Sequence, residues 1–457
     1  MVDPGPVTQG PPPHQAPALA GRWSRLHPLS PVARFGVTVG ALLLVALPQV
    51  GLGDKSSPQH IEDVIPWLAL AAVALVSGVV SWLVTRWRVV ADELQIETGL
   101  IRRQSLRFPL RRVQAIDVVA PLTARLLGLA EVRIVSAGTG AQHGRLAYLR
   151  NDDAAQVRAQ LLALAHGLAA ETPEPAAAPL FQVDNGALLA SVLLRGTLLV
   201  VLAAAVVAAV IAATVGAGTV ELLTTALTLA AGGCLEAART FNADFDFTIG
   251  ESPDGLRLHR GLLQKRHETI PYGRIQAVRL LRPLPWRPFG WVRVELDVAR
   301  QAGPRHEGGE VRQVSRLLAP VASRQQALWL VSRVFPGAQM EPGGTGRPPR
   351  RAVLRAPLSY HYLRLWHDST YLVTQTGRVR PATVAVPLEK VQSIRLTSGP
   401  LLRLLRLAHV RVDTAGRRWV AEALCRDREE ASALVDELAG LARRARARRV
   451  TVGAPPP

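Results

Sequence analysis

One phrase of eight residues occurs three times in this chain of 457 residues, and it constrains the fold more than any other feature. The three copies read PLRRVQAI, PYGRIQAV and PLEKVQSI, and they start at Pro109, Pro271 and Pro387. A glutamine follows each proline by five residues, at Gln114, Gln276 and Gln392. Self-similarity at fixed spacing is typical of a chain built from repeated structural modules. The sequence therefore predicts three related domains.

Each copy has the pattern of a small β-sheet closed by a helix. Glycines stand ten residues before the prolines, at Gly99, Gly261 and Gly377, and predict a turn between two strands. The phrase alternates apolar and polar residues, so we expect each proline to start a further strand, where its missing N–H is tolerated. An amphipathic helix is predicted at the end of each copy, over residues 152–168, 323–335 and 426–442. The pattern predicts an α+β fold with curled sheets.

A second shared segment begins fourteen residues after each glutamine. Gly128 and Gly290 open it in the first two copies, whereas Arg406 stands at that position in the third. The third copy also lacks the pair of apolar runs that precedes the other two. These departures leave the course of the third domain open at the level of sequence.

Four apolar runs approach or exceed the length needed to cross a bilayer, which is about 20 residues in a helix. Residues 35–53 and 64–84 form a first pair, and residues 187–218 and 219–238 form a second. A short connection joins the members of each pair, so we expect two transmembrane helical hairpins. Arg195 lies near the start of the third run, where it either reaches the interface by snorkelling or serves a function.

Arginines flank both hairpins on their outer sides, whereas the loop between the first two runs is net acidic. Because cytoplasmic segments of membrane proteins are rich in Arg and Lys, we expect a multi-pass protein of the cell membrane with its N terminus and soluble domains in the cytoplasm. The net charge of +19 is interpreted in the same way, as suited to an anionic leaflet rather than to nucleic acid.

These features divide the chain into nine segments. A disordered Pro-rich leader is predicted over residues 1–30, followed by the first hairpin over 31–87, the first domain over 88–168 and a linker over 169–186. The second hairpin covers 187–240 and the second domain 241–336. A Pro/Gly linker over 337–352, the third domain over 353–445 and a basic tail over 446–457 complete the chain.

The repeated phrase, its partner glycines and the order hairpin, domain, hairpin, domain, domain resemble the bacterial pleckstrin-homology (bPH2) family of YdbS- and YdbT-like membrane proteins. The larger, YdbT-like member has this three-domain layout. The resemblance implies PH-like domains, each a seven-stranded curled sheet with a C-terminal helix, and a binding or scaffolding role. Similar proteins are associated with envelope stress and resistance to antimicrobial peptides, often beside a smaller homologue with two helices and one domain.

Basic residues that follow the three glycine turns are the leading candidates for contact with a partner or with anionic lipid. They are Arg102, Arg103, Lys265, Arg266, Arg378 and Arg380. In eukaryotic relatives of the fold, basic residues beside this hairpin bind phosphoinositide headgroups, and the other interpretation here is a solvated strand edge. The repeated glutamines either mark a binding surface or satisfy backbone groups where the strand bends.

Standard catalytic patterns are missing from the sequence. It contains no G-x-x-x-x-G-K-[ST], H-E-x-x-H or G-x-S-x-G, and its two cysteines, Cys234 and Cys425, form no C-x-x-C. The glycine-rich segment 138–144 opens no predicted helix, so we interpret it as a hairpin loop rather than a phosphate cradle. We predict no enzyme, metal or cofactor.

Three functions remain: a scaffold that assembles with itself or a smaller homologue, a sensor of anionic lipid, and a transporter or its accessory subunit.

Overall fold

The computed structural model describes residues 23–33, 59–90, 93–99, 103–110, 113–136, 144–165, 177–215, 219–253, 255–299, 316–341, 346–416, 419 and 421–453. These residues fold as two compact units. The first is Met1–Ala176 with Gln264–Glu268, and the second is Ala177–Leu263 with Thr269–Pro457. The predicted span over 35–53, residues 138–143 of the glycine-rich loop, and Arg102 lie outside the described residues.

The first repeat consists of two antiparallel sheets and a closing helix. Helix α1 (Gln59–Val84) leads into a sheet of order β1-β2-β3-β4, with strands Ser24–Arg25, Arg86–Val90, Glu93–Thr98 and Gln104–Pro109. The second sheet contains β5 (Val113–Ala120), β6 (Leu129–Ser136) and β7 (Gly144–Arg150), with α2 (Leu122–Leu126) after β5 and α3 (Asn151–Ala165) at the end. Strand β3 buries Leu94 and Ile96 but not Glu93 or Gln95, as its alternating sequence requires.

The second repeat has the same order of elements. It starts with β8 (Ala178–Gln182), α4 (Asn185–Leu193), α5 (Gly196–Val215) and α6 (Thr219–Asp244). Its strands are β9 (Thr248–Ser252), β10 (Gly255–Arg260), β11 (Lys265–Ile270), β12 (Ile275–Leu281), β13 (Trp291–Val298) and β14 (Arg316–Ser323). Helix α7 (Arg324–Val334) closes it and starts with a capping box, in which Ser323 and Gln326 each accept a backbone N–H of the other.

The third repeat follows the same course despite its departures in sequence. Its strands are β15 (Arg364–His367), β16 (Tyr371–Thr376), β17 (Ala382–Pro387), β18 (Val391–Thr397), β19 (Leu407–Thr414) and β20 (Ala421–Asp427). Helix α8 (Pro400–Leu404) lies between β18 and β19, and α9 (Arg428–Gly453) closes the repeat. The predicted combination of small antiparallel sheets with closing helices is confirmed.

The role predicted for the repeated prolines was wrong. Pro109 and Pro387 are the last residues of β4 and β17, and Pro271 directly follows β11, so each proline ends a strand. Pro271 and Pro387 then precede short 3-10 turns, with φ of −62° and −64°. The proline ring holds φ near this value, which suits the entry to a turn, and the following strand begins four residues later.

Three predicted boundaries also differ from the structure. Part of the leader is ordered, because Ser24 and Arg25 pair with Trp87 and Arg86 of β2. The linker predicted over 169–186 contains β8, which pairs with β9. Helix α9 continues to Gly453, into the predicted tail, because no proline or glycine interrupts its last turns before that point.

The described residues contain one helix that is long and apolar enough to cross a membrane, Val220–Asp244. There are two if the bent pair Asn185–Leu193 and Leu198–Ile211 forms one span, and Ala69–Val84 is a shorter apolar helix. The described residues therefore do not support two hairpins. The pair bends by 44° where the sequence predicted a single run over 187–218. At this break the guanidinium of Arg195 donates to the Thr240 hydroxyl at 3.2 Å.

Candidate functional site

Strand pairing joins the second repeat to the third. Strand β12 pairs antiparallel with β17, with Leu281 opposite Ala382 and Leu280 opposite Thr383. The result is a six-stranded sheet of order β14-β13-β12-β17-β16-β15. Tyr371, Val373 and Ala385 of the third repeat belong to the same buried cluster as the core of the second. The two repeats therefore share one sheet, and part of the third repeat packs into the core of the second while most of its apolar residues form a core of their own.

A second junction of the same kind lies within the first unit. Residues 265–267 of β11 pair antiparallel with β5, and Val119 lies opposite Arg266 while Val118 lies opposite His267. Val119 is the fifth residue after Gln114, and Arg266 is the fifth before Pro271. Leu281 and Ala382 hold these same positions in the other junction, since they are the fifth after Gln276 and the fifth before Pro387. The two junctions thus have the same register.

The repeated glutamine is the extra residue of a β-bulge in all three copies. The pairing of β5 with β6, β12 with β13 and β18 with β19 shifts register across Gln114, Gln276 and Gln392 respectively. The Gln276 amide is buried and donates to the Arg274 carbonyl at 3.2 Å. A bulge increases the local twist of a strand, which curls the sheet over its closing helix.

The turn at Gly261 is held against the end of the apolar helix α6. The backbone N–H of Gly261 donates to the Phe245 carbonyl at 2.7 Å, and that of Leu262 donates to the Asn242 carbonyl at 2.9 Å. The Asn242 side chain accepts from the Leu263 N–H at 2.7 Å. Leu262 and Leu263 are 39% and 45% exposed, so the turn presents apolar side chains beside the helix end.

The turn at Gly377 is held by the second repeat. The Leu284 N–H donates to the Val379 carbonyl at 3.0 Å, and the Arg287 guanidinium donates to the Arg378 carbonyl. The side chains of Arg378 and Arg380 are exposed. Backbone contacts therefore fix this turn, and its two basic side chains point into solvent.

A basic cleft of about 280 Å³ lies beside the β5–β11 junction in the first unit. Lys265 and His267 of β11 line it together with Arg125 of α2 and Arg158 of α3. Val118 and Ala120 of β5 contribute apolar surface. Two arginines, a lysine and a histidine around one concave surface are side chains suited to contact with an anionic group.

A hydrogen-bonded network ties the repeated phrase of the second copy to its closing helix. The Tyr272 hydroxyl donates to Glu251 at 2.8 Å, and the Arg333 guanidinium donates to the same carboxylate at 3.2 Å. Burial, and then the contact with Glu251, raises the pKa of Tyr272, so the phenol stays protonated as a donor. This network stabilises the fold and presents no reactive group.

The structure places the basic residues predicted from sequence in different surroundings. Of these, Lys265 lines the cleft, whereas Arg266 is directed to the other side of the strand and donates to Gln264 at 2.9 Å. Arg103, Arg378 and Arg380 are exposed and are not part of the cleft. Of the five predicted positions that the structure describes, Lys265 is therefore the one that lines the cleft.

Sequence reasoning missed Arg125, Arg158 and His267 as residues of the cleft. They lie on two helices and a strand, and no shared motif or spacing connects them in the sequence. The strand junctions do have a signal in the sequence, since the paired residues lie at fixed distances from the repeated glutamine and the repeated proline. Within the described part of the chain, no three His, Cys, Asp or Glu side chains are grouped so that they could hold a metal ion.

The fold and its junctions define a class of protein: a tandem array of curled-sheet modules that join through strand edges. Three segments of the chain, residues 39–165, 189–325 and 326–442, match the family described as the bacterial PH domain. The chain belongs to this family, and the match confirms the resemblance seen in the repeated phrase. Proteins of the PH-domain family are generally non-catalytic. Comparison with curated proteins and with solved structures gave no match.

Proposed function

We propose that this protein is a non-enzymatic scaffold of the bacterial cell membrane whose PH-like domains bind partners through strand edges. The identical register of the two strand junctions carries the proposal. A module that twice pairs the same two edges in the same way is built for association with further modules of its kind. Main-chain pairing supplies affinity in such contacts, and the side chains on either face supply specificity.

Membrane attachment is supported by the surface of the apolar helices. Four apolar side chains are more than 60% exposed: Val200 and Val206 on α5, and Val220 and Leu227 on α6. Exposure of such side chains to water is unfavourable, whereas contact with lipid is not. The exposed Leu262 and Leu263 lie where α6 ends, which suits contact with the bilayer surface in the proposed topology. We retain two transmembrane hairpins, with the N terminus and all three domains in the cytoplasm, as the proposed topology.

The family resemblance is the basis for a proposal on the physiological role. We propose that the scaffold acts in envelope stress or in resistance to antimicrobial peptides. Its partner is a second copy of the chain or a smaller homologous membrane protein with one PH-like domain.

Fractionation and cross-linking test this proposal. The full-length chain is expected in the carbonate-resistant membrane fraction, with reporters after residues 168, 336 and 445 all facing the cytoplasm. A cross-linked pull-down from native membranes is expected to recover a PH-domain membrane protein. Release of the chain by carbonate, or reporters that face different compartments, would contradict the proposed attachment.

The basic cleft supports a second candidate function, which is recognition of anionic lipid headgroups. Lys265 and Arg266 provide a matched pair of variants, because only Lys265 lines the cleft. If the cleft binds headgroups, Lys265→Gln weakens binding of phosphatidylglycerol to the full chain in detergent several-fold, whereas Arg266→Gln does not. Added salt has little effect at a partly buried site and a large one at an exposed surface. Equal binding of phosphatidylglycerol and phosphatidylcholine would exclude this function.

A further inference from the structure

Both junctions between repeats use the same two strands. The strand that ends at the repeated proline (β11 or β17) pairs with the strand that contains the repeated glutamine (β5 or β12) in the preceding repeat. In a chain of three repeats this rule leaves two strands over. They are β4, which ends at Pro109 in the first repeat, and β18, which contains Gln392 in the last.

Both remaining strands are edges in the described structure. Strand β4 is the last member of its four-stranded sheet, and β18 is the first of its three-stranded sheet. Among the residues that the structure describes, each pairs with a neighbour on one side only, β4 with β3 and β18 with β19. Each therefore presents a row of backbone groups to which another strand can bind.

Burial separates the paired strands from the unpaired ones at equivalent positions. In β12, Gln276 and Leu281 are each 5% exposed, whereas their counterparts in β18, Gln392 and Thr397, are exposed. Leu396 of β18 is 44% exposed. On the other side of the junction, Ala382 of β17 is buried and its counterpart in β4, Gln104, is exposed.

We propose that β18 of one copy of this chain pairs antiparallel with β4 of a second copy, in the register of the two internal junctions. The fourth residue after Gln392 is Leu396, and the fourth before Pro109 is Ser105, so these two lie opposite each other. By the same rule Thr397 lies opposite Gln104. This inference rests on the proposed scaffold function and names the surfaces that the scaffold uses.

A second copy is the occupant that the structure favours. The strand that pairs with a β5-type edge is, in both internal examples, a strand that ends at the repeated proline, and β4 is such a strand. Because the two surfaces differ, the contact is heterologous. Copies then associate head to tail, and each added copy again exposes one edge of each type.

Disulfide cross-linking in native membranes tests the register. Directly opposite residues of an antiparallel pair have Cα atoms about 4.5 to 5.5 Å apart, which suits a disulfide. Leu396→Cys and Ser105→Cys are placed in two copies with different tags, co-expressed and oxidised. The exposed Cys234 is first replaced by Ala. The buried Cys425 stays, since burial raises the pKa of its thiol and keeps it unreactive.

The expected product is a disulfide-linked dimer that carries both tags. The fraction of the chain found in this dimer is expected to be at least ten times the fraction that cross-links when either variant is expressed alone. Thr397→Cys with Gln104→Cys is a second pair and is expected to cross-link as well. Leu106→Cys is the matched control, because Leu106 adjoins Ser105 but lies on the other face of β4, and it is expected not to cross-link with Leu396→Cys.

Three outcomes would overturn the inference. The first is that neither cysteine pair cross-links, and the second is that Leu106→Cys cross-links as well as Ser105→Cys. The third is a disulfide that closes within one chain when both cysteines are in the same copy. If the pull-down still recovers a PH-domain membrane protein in any of these cases, the scaffold function stands and only this assignment of edges fails.

Discussion

Gly290 and Arg406 have the same left-handed backbone conformation, with φ of 65° and 50°, at equivalent positions of the second and third repeats. Gly128 holds the position in the first repeat with φ of 69°. The turn between the glutamine-containing strand and the next strand is thus the same in all three copies. Arg406 adopts it without the freedom of glycine, because the surrounding sheet determines the path of the chain.

Replacement of Arg406 by glycine is expected to stabilise the third domain by up to about 1 kcal/mol, because the left-handed conformation costs a residue with a side chain about 1–2 kcal/mol. The added freedom of glycine in the unfolded chain offsets part of that gain. Gly290→Ala is the reverse change and is expected to cost about 1 kcal/mol. Beyond the adjoining residues of the chain, no atom lies within 4 Å of the position that a Cβ would take at Gly290, so this cost comes from the backbone conformation. Thermal unfolding of the full chain in detergent measures both, and a lower melting temperature for Arg406→Gly would contradict the argument.

Trp286 links the second domain to α4, the helix that forms the first part of the apolar run over 187–218. Its ring is 2% exposed, and Nε1 donates to the Ser191 carbonyl of α4 at 3.1 Å. Trp286→Phe keeps most of the buried volume and is expected to cost about 1–2 kcal/mol, whereas Trp286→Ala is expected to cost about 3–5 kcal/mol. Hydrogen exchange of α4 distinguishes a local effect from a global one. Equal protection of α4 in wild type and Trp286→Ala would show that the contact does not hold the helix.

Asp244 and Arg260 form a buried ion pair between the end of α6 and β10. Their side chains are each 7% exposed, and the closest atoms are 3.4 Å apart. Arg260→Met leaves a buried carboxylate without its cation and is expected to destabilise by about 3–5 kcal/mol. Adding Asp244→Asn removes that charge and is expected to restore most of the loss. Chemical unfolding of the single and double variants checks this, and a double variant less stable than the single one would contradict it.

The third domain is expected to lose stability in mild acid through His409. Its Nδ1 accepts the backbone N–H of Cys425 at 2.8 Å, which requires that this nitrogen carry no proton. Burial, more than any nearby charge, lowers the pKa of His409 from the usual 6.5. As the pH falls below 6.5, the unfolded chain therefore binds more protons than the folded chain. Stability is complete above pH 6.5 and falls as the pH decreases from there toward the folded-state pKa.

His409→Asn removes the titrating group and keeps an oxygen that can accept the same N–H. The slope of melting temperature against pH between 7.5 and 5.5 is expected to be smaller for this variant than for wild type. An unchanged slope would assign the acid sensitivity to other groups.

Local patterns were sufficient to predict the repeated architecture. The recurring glycines Gly99, Gly261 and Gly377 all have positive φ, from 88° to 108°, at the predicted turns. The predicted closing helices begin within two residues of the observed ones, since apolar periodicity and capping residues act over a few turns of chain. The strand start was predicted at the prolines because the alternating phrase has the pattern of one strand, whereas a 3-10 turn separates Pro271 and Pro387 from the strands that follow them.

Three copies of one module, and the family of that module, are evident from the sequence, because a motif and its spacing are local properties. The pairing of β5 with β11 and of β12 with β17, and the strand edges that remain, become visible only in the folded protein. The same holds for the cleft that joins Arg125, Arg158 and Lys265. Register and proximity between distant segments depend on how the sheets pack, and no pattern within one segment encodes that packing.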